Sequence, residues 1–113
     1  MTVLSQTKSV EIRRLNDAFR KSFVGGRVLL TRSVQSLPPP VVADILAQVR
    51  GFDRFEKGND PYGEHDFVSI QSGEYLVYGK IDYYDKACLY GSEDPSDPEQ
   101  TTRVLTIMLA EDY

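Results

Sequence analysis

The sequence predicts an α+β domain: a small antiparallel sheet of about three strands covered by about three helices. The expected order is helix, strand, helix, strand, strand, helix. Two segments repeat apolar residues at spacings of three and four, as helices do. Two others are rich in Tyr and Val and flank the turn signal Ser72-Gly73, as paired strands do. A chain of 113 residues, 41% hydrophobic, forms one domain over residues 1–113 with a single modest core.

The elements follow in order. In residues 9–23, Ile12, Leu15, Phe19 and Phe23 share one helical face, with Arg13, Arg14, Asp17, Arg20 and Lys21 assigned to the opposite side. Ser9 is the expected N-cap, and Gly25-Gly26 ends the helix because glycine accepts a left-handed C-terminal conformation. Residues 1–8 are expected to fray. Arg27 to Thr31 reads as a short buried strand. Leu37-Pro38-Pro39-Pro40 breaks the chain, and proline suits a first helical turn where its missing N–H loses no bond. Val42, Ile45, Leu46, Val49 and Phe52 then give a second helix over about residues 40–50.

Residues 53–64 are charged and turn-rich. His65 to Gln71 and Glu74 to Asp85 make the hairpin. The apolar run Val104 to Ala110 fits a buried strand on composition alone. Asp97-Pro98-Glu99-Gln100, however, offers a cap residue, a proline at the first helical position and a glutamine three after the cap. Glu99, Arg103, Thr106, Ala110 and Tyr113 also fall on one side at helical spacing. A helix over residues 98–112 is the expectation, despite Glu111 and Asp112 at the negative end of its dipole.

Composition narrows the functional classes. No apolar run approaches the roughly 18 residues of a membrane span, and Met1 to Lys8 lack the pattern of a signal peptide. The single cysteine, Cys88, forms no internal disulfide and no metal cluster by itself. The expected setting is cytoplasmic, with no membrane partner, no cofactor and no metal. The net charge of -4 divides into +5 over residues 1–52 and -9 over residues 53–113, and all seven tyrosines lie in the acidic half.

A set of segments resembles one bacterial family. They are Leu15-Asn16-Asp17-Ala18-Phe19-Arg20, Gly25-Gly26, Asn59-Asp60-Pro61-Tyr62-Gly63-Glu64-His65-Asp66-Phe67, Lys80-Ile81-Asp82-Tyr83-Tyr84-Asp85 and Gly91-Ser92-Glu93-Asp94-Pro95, with the ending Thr102 to Ala110. Together they resemble domain of unknown function 3768. The resemblance implies a mainly alphaproteobacterial protein, often encoded near plasmid or phage genes, and it implies no mechanism.

Three function classes compete for these residues. A protein-binding module would use the acidic, Tyr-rich half through Asp60, Tyr62, Glu64, Tyr84, Asp85, Glu93 and Asp94, since tyrosine gives large contact area with a polar tip. Such a face can imitate nucleic-acid charge and occupy the basic groove of a nucleic-acid-handling partner, which the mobile-element setting implied by the resemblance suits. A small hydrolase-like or metal-dependent enzyme would combine His65 with Asp82 and Lys80 for proton transfer. The bland alternative has His65 capping a loop that the carboxylates hold. Nucleic-acid binding would use Arg13, Arg14, Arg20 and Lys21 on the first helix, against the alternative of a solvated polar face. Gly25-Gly26 precedes a strand, unlike a phosphate cradle. The carboxylates from Glu93 to Asp97 lack the ordered ligand spacing of a calcium loop.

Overall fold

The computed structural model describes residues 3–113, with side chains from Thr7 onward. It contains α1 (Val3–Ser22), β1 (Gly26–Leu30), α2 (Arg32–Gln35), α3 (Pro39–Gly51), β2 (Phe67–Ser72), β3 (Tyr75–Tyr84), β4 (Thr102–Leu109) and a terminal 3-10 turn (Ala110–Asp112). The α+β class stands. The sheet, however, has four strands and is mixed, in the order β1-β4-β3-β2.

The hairpin forms as the alternation predicts. β2 and β3 pair antiparallel from Phe67 opposite Lys80 to Ser72 opposite Tyr75. Gly73 takes φ +56° at the first position of the connecting turn, the conformation that a two-residue hairpin asks of glycine there. α1 is longer than expected. It already runs through residues 3–8, and Ser9 lies inside the helix instead of capping it; Met1 and Thr2 lie outside the described residues. Phe23 at φ 61° and Gly25 at φ 106° end it in the left-handed region, as glycine-rich stops do. A short helix, α2, also precedes the proline run, and it is missing from the expected order.

The largest correction concerns residues 98–112. They form no α-helix; Thr102 to Leu109 is a strand, parallel to β1 and antiparallel to β3. The local cap chemistry is real but closes only a turn. Asp97 Oδ1 accepts from the Glu99 amide, its Oδ2 accepts from Gln100 Nε2, and the Gln100 amide returns to the Asp97 carbonyl. A strand between two others buries both faces, so its sequence loses the polar alternation that marks half-exposed strands. Arg103, Val104, Leu105, Ile107, Met108 and Leu109 are all buried. Pairing along both edges outweighs a helix signal of a single turn.

The helices pack on one side of the sheet. Phe19 of α1, Val34 of α2, and Ile45 and Val49 of α3 meet Val68, Ile70, Val77, Ile81, Leu105, Ile107 and Leu109. The alternate residues of β3, Leu76, Tyr78, Lys80, Asp82 and Tyr84, face the other way. There Phe67, Tyr78 and Tyr113 form an aromatic cluster with ring centroids 5.0–5.9 Å apart.

Candidate functional site

The inward face of α1 is not wholly apolar. Ile12, Asn16, Phe19 and Arg20 are spaced to face the sheet, and Asn16 and Arg20 are 0% and 1% exposed. A buried amide and a buried guanidinium need partners, since each unmet bond costs far more than a made one contributes. The chain supplies most of them, largely from distant segments, and leaves Arg20 Nε unpaired.

Asn16 joins three of these segments. Its Nδ2 donates to the Tyr83 hydroxyl (2.8 Å) and to the Glu64 carbonyl (3.0 Å), and its Oδ1 accepts from Arg103 Nε (2.7 Å). Tyr83 in turn donates to Glu64 Oε1 at 2.8 Å. Arg103 also donates to the Pro95 carbonyl, and its guanidinium lies over the Tyr83 ring. Burial pushes the Glu64 carboxyl and the Tyr83 hydroxyl above their ordinary ranges and the Arg103 guanidinium below its own.

His65 stands in an adjoining cluster. Its Nδ1 lies 2.9 and 3.1 Å from the two oxygens of Asp17. A carboxylate only accepts when ionised, so this nitrogen carries the proton in the bond. Nε2 lies 3.5 Å from Asp60 Oδ2. Phe55 stacks on the ring with centroids 3.8 Å apart and planes 6° from parallel. Arg20 donates to Asp17 (3.0 Å) and to the Phe52 carbonyl (3.2 Å), with its guanidinium over Phe55. The backbone of His65 is left-handed, φ 56°, and Asp60 Oδ1 holds that turn by accepting from the Glu64 and His65 amides, each at 3.1 Å.

The structure separates the expected catalytic set. Lys80 and Asp82 pair at 3.3 Å on the sheet face away from the helices. His65 packs on the helix side, against Asp17 and Phe55. Asp66 bridges the two regions through its backbone, accepting from the Ile81 amide, and burial raises its carboxyl. Among the described residues, no group of three or more His, Cys, Asp or Glu is placed to hold a metal ion.

The expected binding residues also divide. Asp60 is buried and Glu64 half-buried, both turned into the anchor just described. Asp94 bonds to the Ser96 amide and hydroxyl and pairs with Lys8 at 3.8 Å. Tyr62, Tyr84 and Glu93 are exposed, and Asp85 is half-exposed. The basic set changes character too. Arg20 is buried instead of projecting to solvent, Arg14 pairs with Glu11, and Arg13 reaches the Gly63 carbonyl. Lys21 keeps its exposed position.

The concave surfaces lie elsewhere. A cleft of about 600 Å³ runs beside β2, lined by Gln48, Phe52, Arg54, Ile70 and Leu76 among others. A second, of about 490 Å³, is lined by Asp85, Lys86, Tyr90, Glu93 and Glu99 in the β3–β4 connection. Among the described residues no helix is long and apolar enough to cross a membrane.

Residues 30–112 match the family described as a protein of unknown function (DUF3768). The chain belongs to this family. The comparison with curated proteins and the comparison with solved structures each found no match. The family segment holds Glu64, His65, Tyr83 and Arg103, whereas Asn16, Asp17 and Arg20 lie ahead of it on α1. The DUF3768 segment is thus tied to a helix that precedes it by the bonds of Asn16 and Asp17. Reading α1 by apolar period alone misses those three residues. A signal was present in the spacing, since Asn16 falls four residues after Ile12 and Arg20 four after Asn16.

Proposed function

We propose that this protein is a binding module whose contact surface is the β3–β4 connection, with a protein partner that carries a basic rim. The observation that carries the reading is the exposure of Leu89 and Tyr90, at 72% and 75%, on a fully tied turn. The Asp85 amide donates to the Tyr90 carbonyl, the Leu89 amide to Asp85 Oδ1, and the Cys88 amide to the Asp85 carbonyl. Tyr84 bridges Gly91 at its base. Holding two large side chains out in water on a rigid turn costs little ordering entropy when a partner arrives. Asp85, Glu93 and Glu99 surround them along the adjoining cleft. Exposed tyrosine and leucine inside an acidic border suit an apolar pocket with a basic edge. A protein that grips nucleic acid has such an edge, which keeps inhibition of a nucleic-acid-handling partner within this reading.

The enclosure of His65 supports the same choice. Both ring nitrogens face carboxylates and one ring face is stacked. This is the geometry of an anchor for the 53–66 segment. The test is affinity capture with the immobilised chain and with its Leu89→Asp, Tyr90→Ser double variant. A specific protein retained by the native chain and lost from an equally stable variant supports the reading. Identical captures from both would remove it.

A further inference from the structure

The sheet has a second feature that the binding turn does not use. β2 is an edge strand, and its sequence Phe67-Val68-Ser69-Ile70-Gln71-Ser72 contains none of the charged residues or prolines that commonly guard edges. Across the two-residue turn, Ser72 and Tyr75 form the hydrogen-bonded pair, so Ile70 and Val68 also bond towards β3. The Ile81 amide donating to the Asp66 carbonyl continues that alternation. Phe67, Ser69 and Gln71 therefore direct their N–H and C=O groups to the free edge. Gln48 Nε2 donates to the outward Gln71 carbonyl at 3.0 Å, occupying the place of a ladder N–H from another strand. The opposite edge is closed differently, with the Leu30 carbonyl accepting from Gln35.

The 600 Å³ cleft runs along this edge. The end of α3 and the segment Phe52 to Arg54 form one wall, and Ser69, Ile70 and Gln71 form the floor. Phe52 and Ile70 lie on its helix side, and Leu76, 43% exposed, lies on its open side. Side chains of an added strand would meet Phe52 and Ile70 on the helix side, and Ser69 and Gln71 with Leu76 behind them on the open side. We propose that this cleft accepts an extended segment of a partner polypeptide as an added strand of the sheet, hydrogen-bonded to Phe67, Ser69 and the Gln71 amide. Main-chain bonds supply affinity in this mode, and the contacts on the helix side select apolar side chains at alternate positions. A second copy of the chain is the poorer occupant. Its own β2 carries the same wall, so edge-to-edge pairing would bring wall against wall.

The experiment is an amide-resolved NMR titration with a capped hexapeptide, Lys-Val-Thr-Val-Thr-Lys. Shifts should centre on Phe67, Ser69 and Gln71, with slower hydrogen exchange at the Ser69 amide. Ser69→Pro removes an outward donor without breaking a bond to β3, and it should weaken binding by about tenfold. The same peptide N-methylated at all four central residues should bind no better than that, and this control leaves the protein fold untouched. The Leu89→Asp, Tyr90→Ser variant should bind the peptide normally, separating this site from the turn. An unperturbed β2 at millimolar peptide overturns the proposal. So does equal binding of the peptide N-methylated at its four central residues, or β2 shifts produced by protein concentration alone.

Discussion

At the scale of single residues, the determining feature is polar chemistry placed on the buried face of α1. Asn16 satisfies a buried guanidinium, a phenol and a backbone carbonyl at once. Asn16→Ala leaves Arg103 Nε buried without its acceptor, and it should cost about 3 kcal/mol in chemical denaturation. Glu64 makes a different prediction. Burial holds its folded-state pKa above the ordinary 4.5, so the folded state binds more protons than the unfolded one between those values. Stability from this group therefore falls as pH rises from 4.5 through the raised value, then stays level. Glutamine imitates the protonated form and still accepts from Tyr83. Glu64→Gln should raise stability at pH 7 by up to about 1 kcal/mol, and the gain should vanish as pH falls below 4.5. Thermal melts of both proteins across pH 4 to 8 read this directly; a gain that grows on acidification contradicts it.

At the scale of elements, what was legible depended on how far each signal reached along the chain. α3 and the β2–β3 hairpin were readable because periodicity and turn chemistry are local, and their observed bounds differ from the expected ones by one or two residues. β4 was not, because its partners β1 and β3 decide it and the sequence around Asp97 argues locally for a helix. The buried face of α1 was half legible: Ile12 and Phe19 marked it, whereas Arg20 looked like surface. Register at the β1 edge rests on close approach. A Cβ at Gly26 would lie 2.4 Å from the Arg103 carbonyl oxygen and 2.8 Å from Phe19 Cζ. Gly26→Ala should cost about 2 kcal/mol by forcing β1 from β4, since backbone cannot yield as a side-chain tip does. Gly51→Ala meets nothing within 4 Å and should be nearly neutral by comparison. Equal losses for the two would refute the packing account.

At the scale of the whole molecule, buried polar bonds join the two oppositely charged halves. Arg103 from the acidic half bonds Asn16, and Asp17 from the basic half bonds His65. The sequence suggested a polar site around His65, and the polar contacts do gather there, but with Asp17 and Asp60 in place of Asp82 and Lys80. Asp17 could not be read because it lies 48 residues away in sequence on a helix face assigned to solvent. The β3–β4 turn faces outward, and the account stands or falls on its use. The most direct measurement is photo-crosslinking in cells of the protein's own source, with a photoreactive residue placed at Tyr90 or, in parallel, at the exposed Lys57. The account predicts a discrete adduct from position 90, abolished by Leu89→Asp, and none from position 57. An adduct from position 57 with position 90 silent would contradict it.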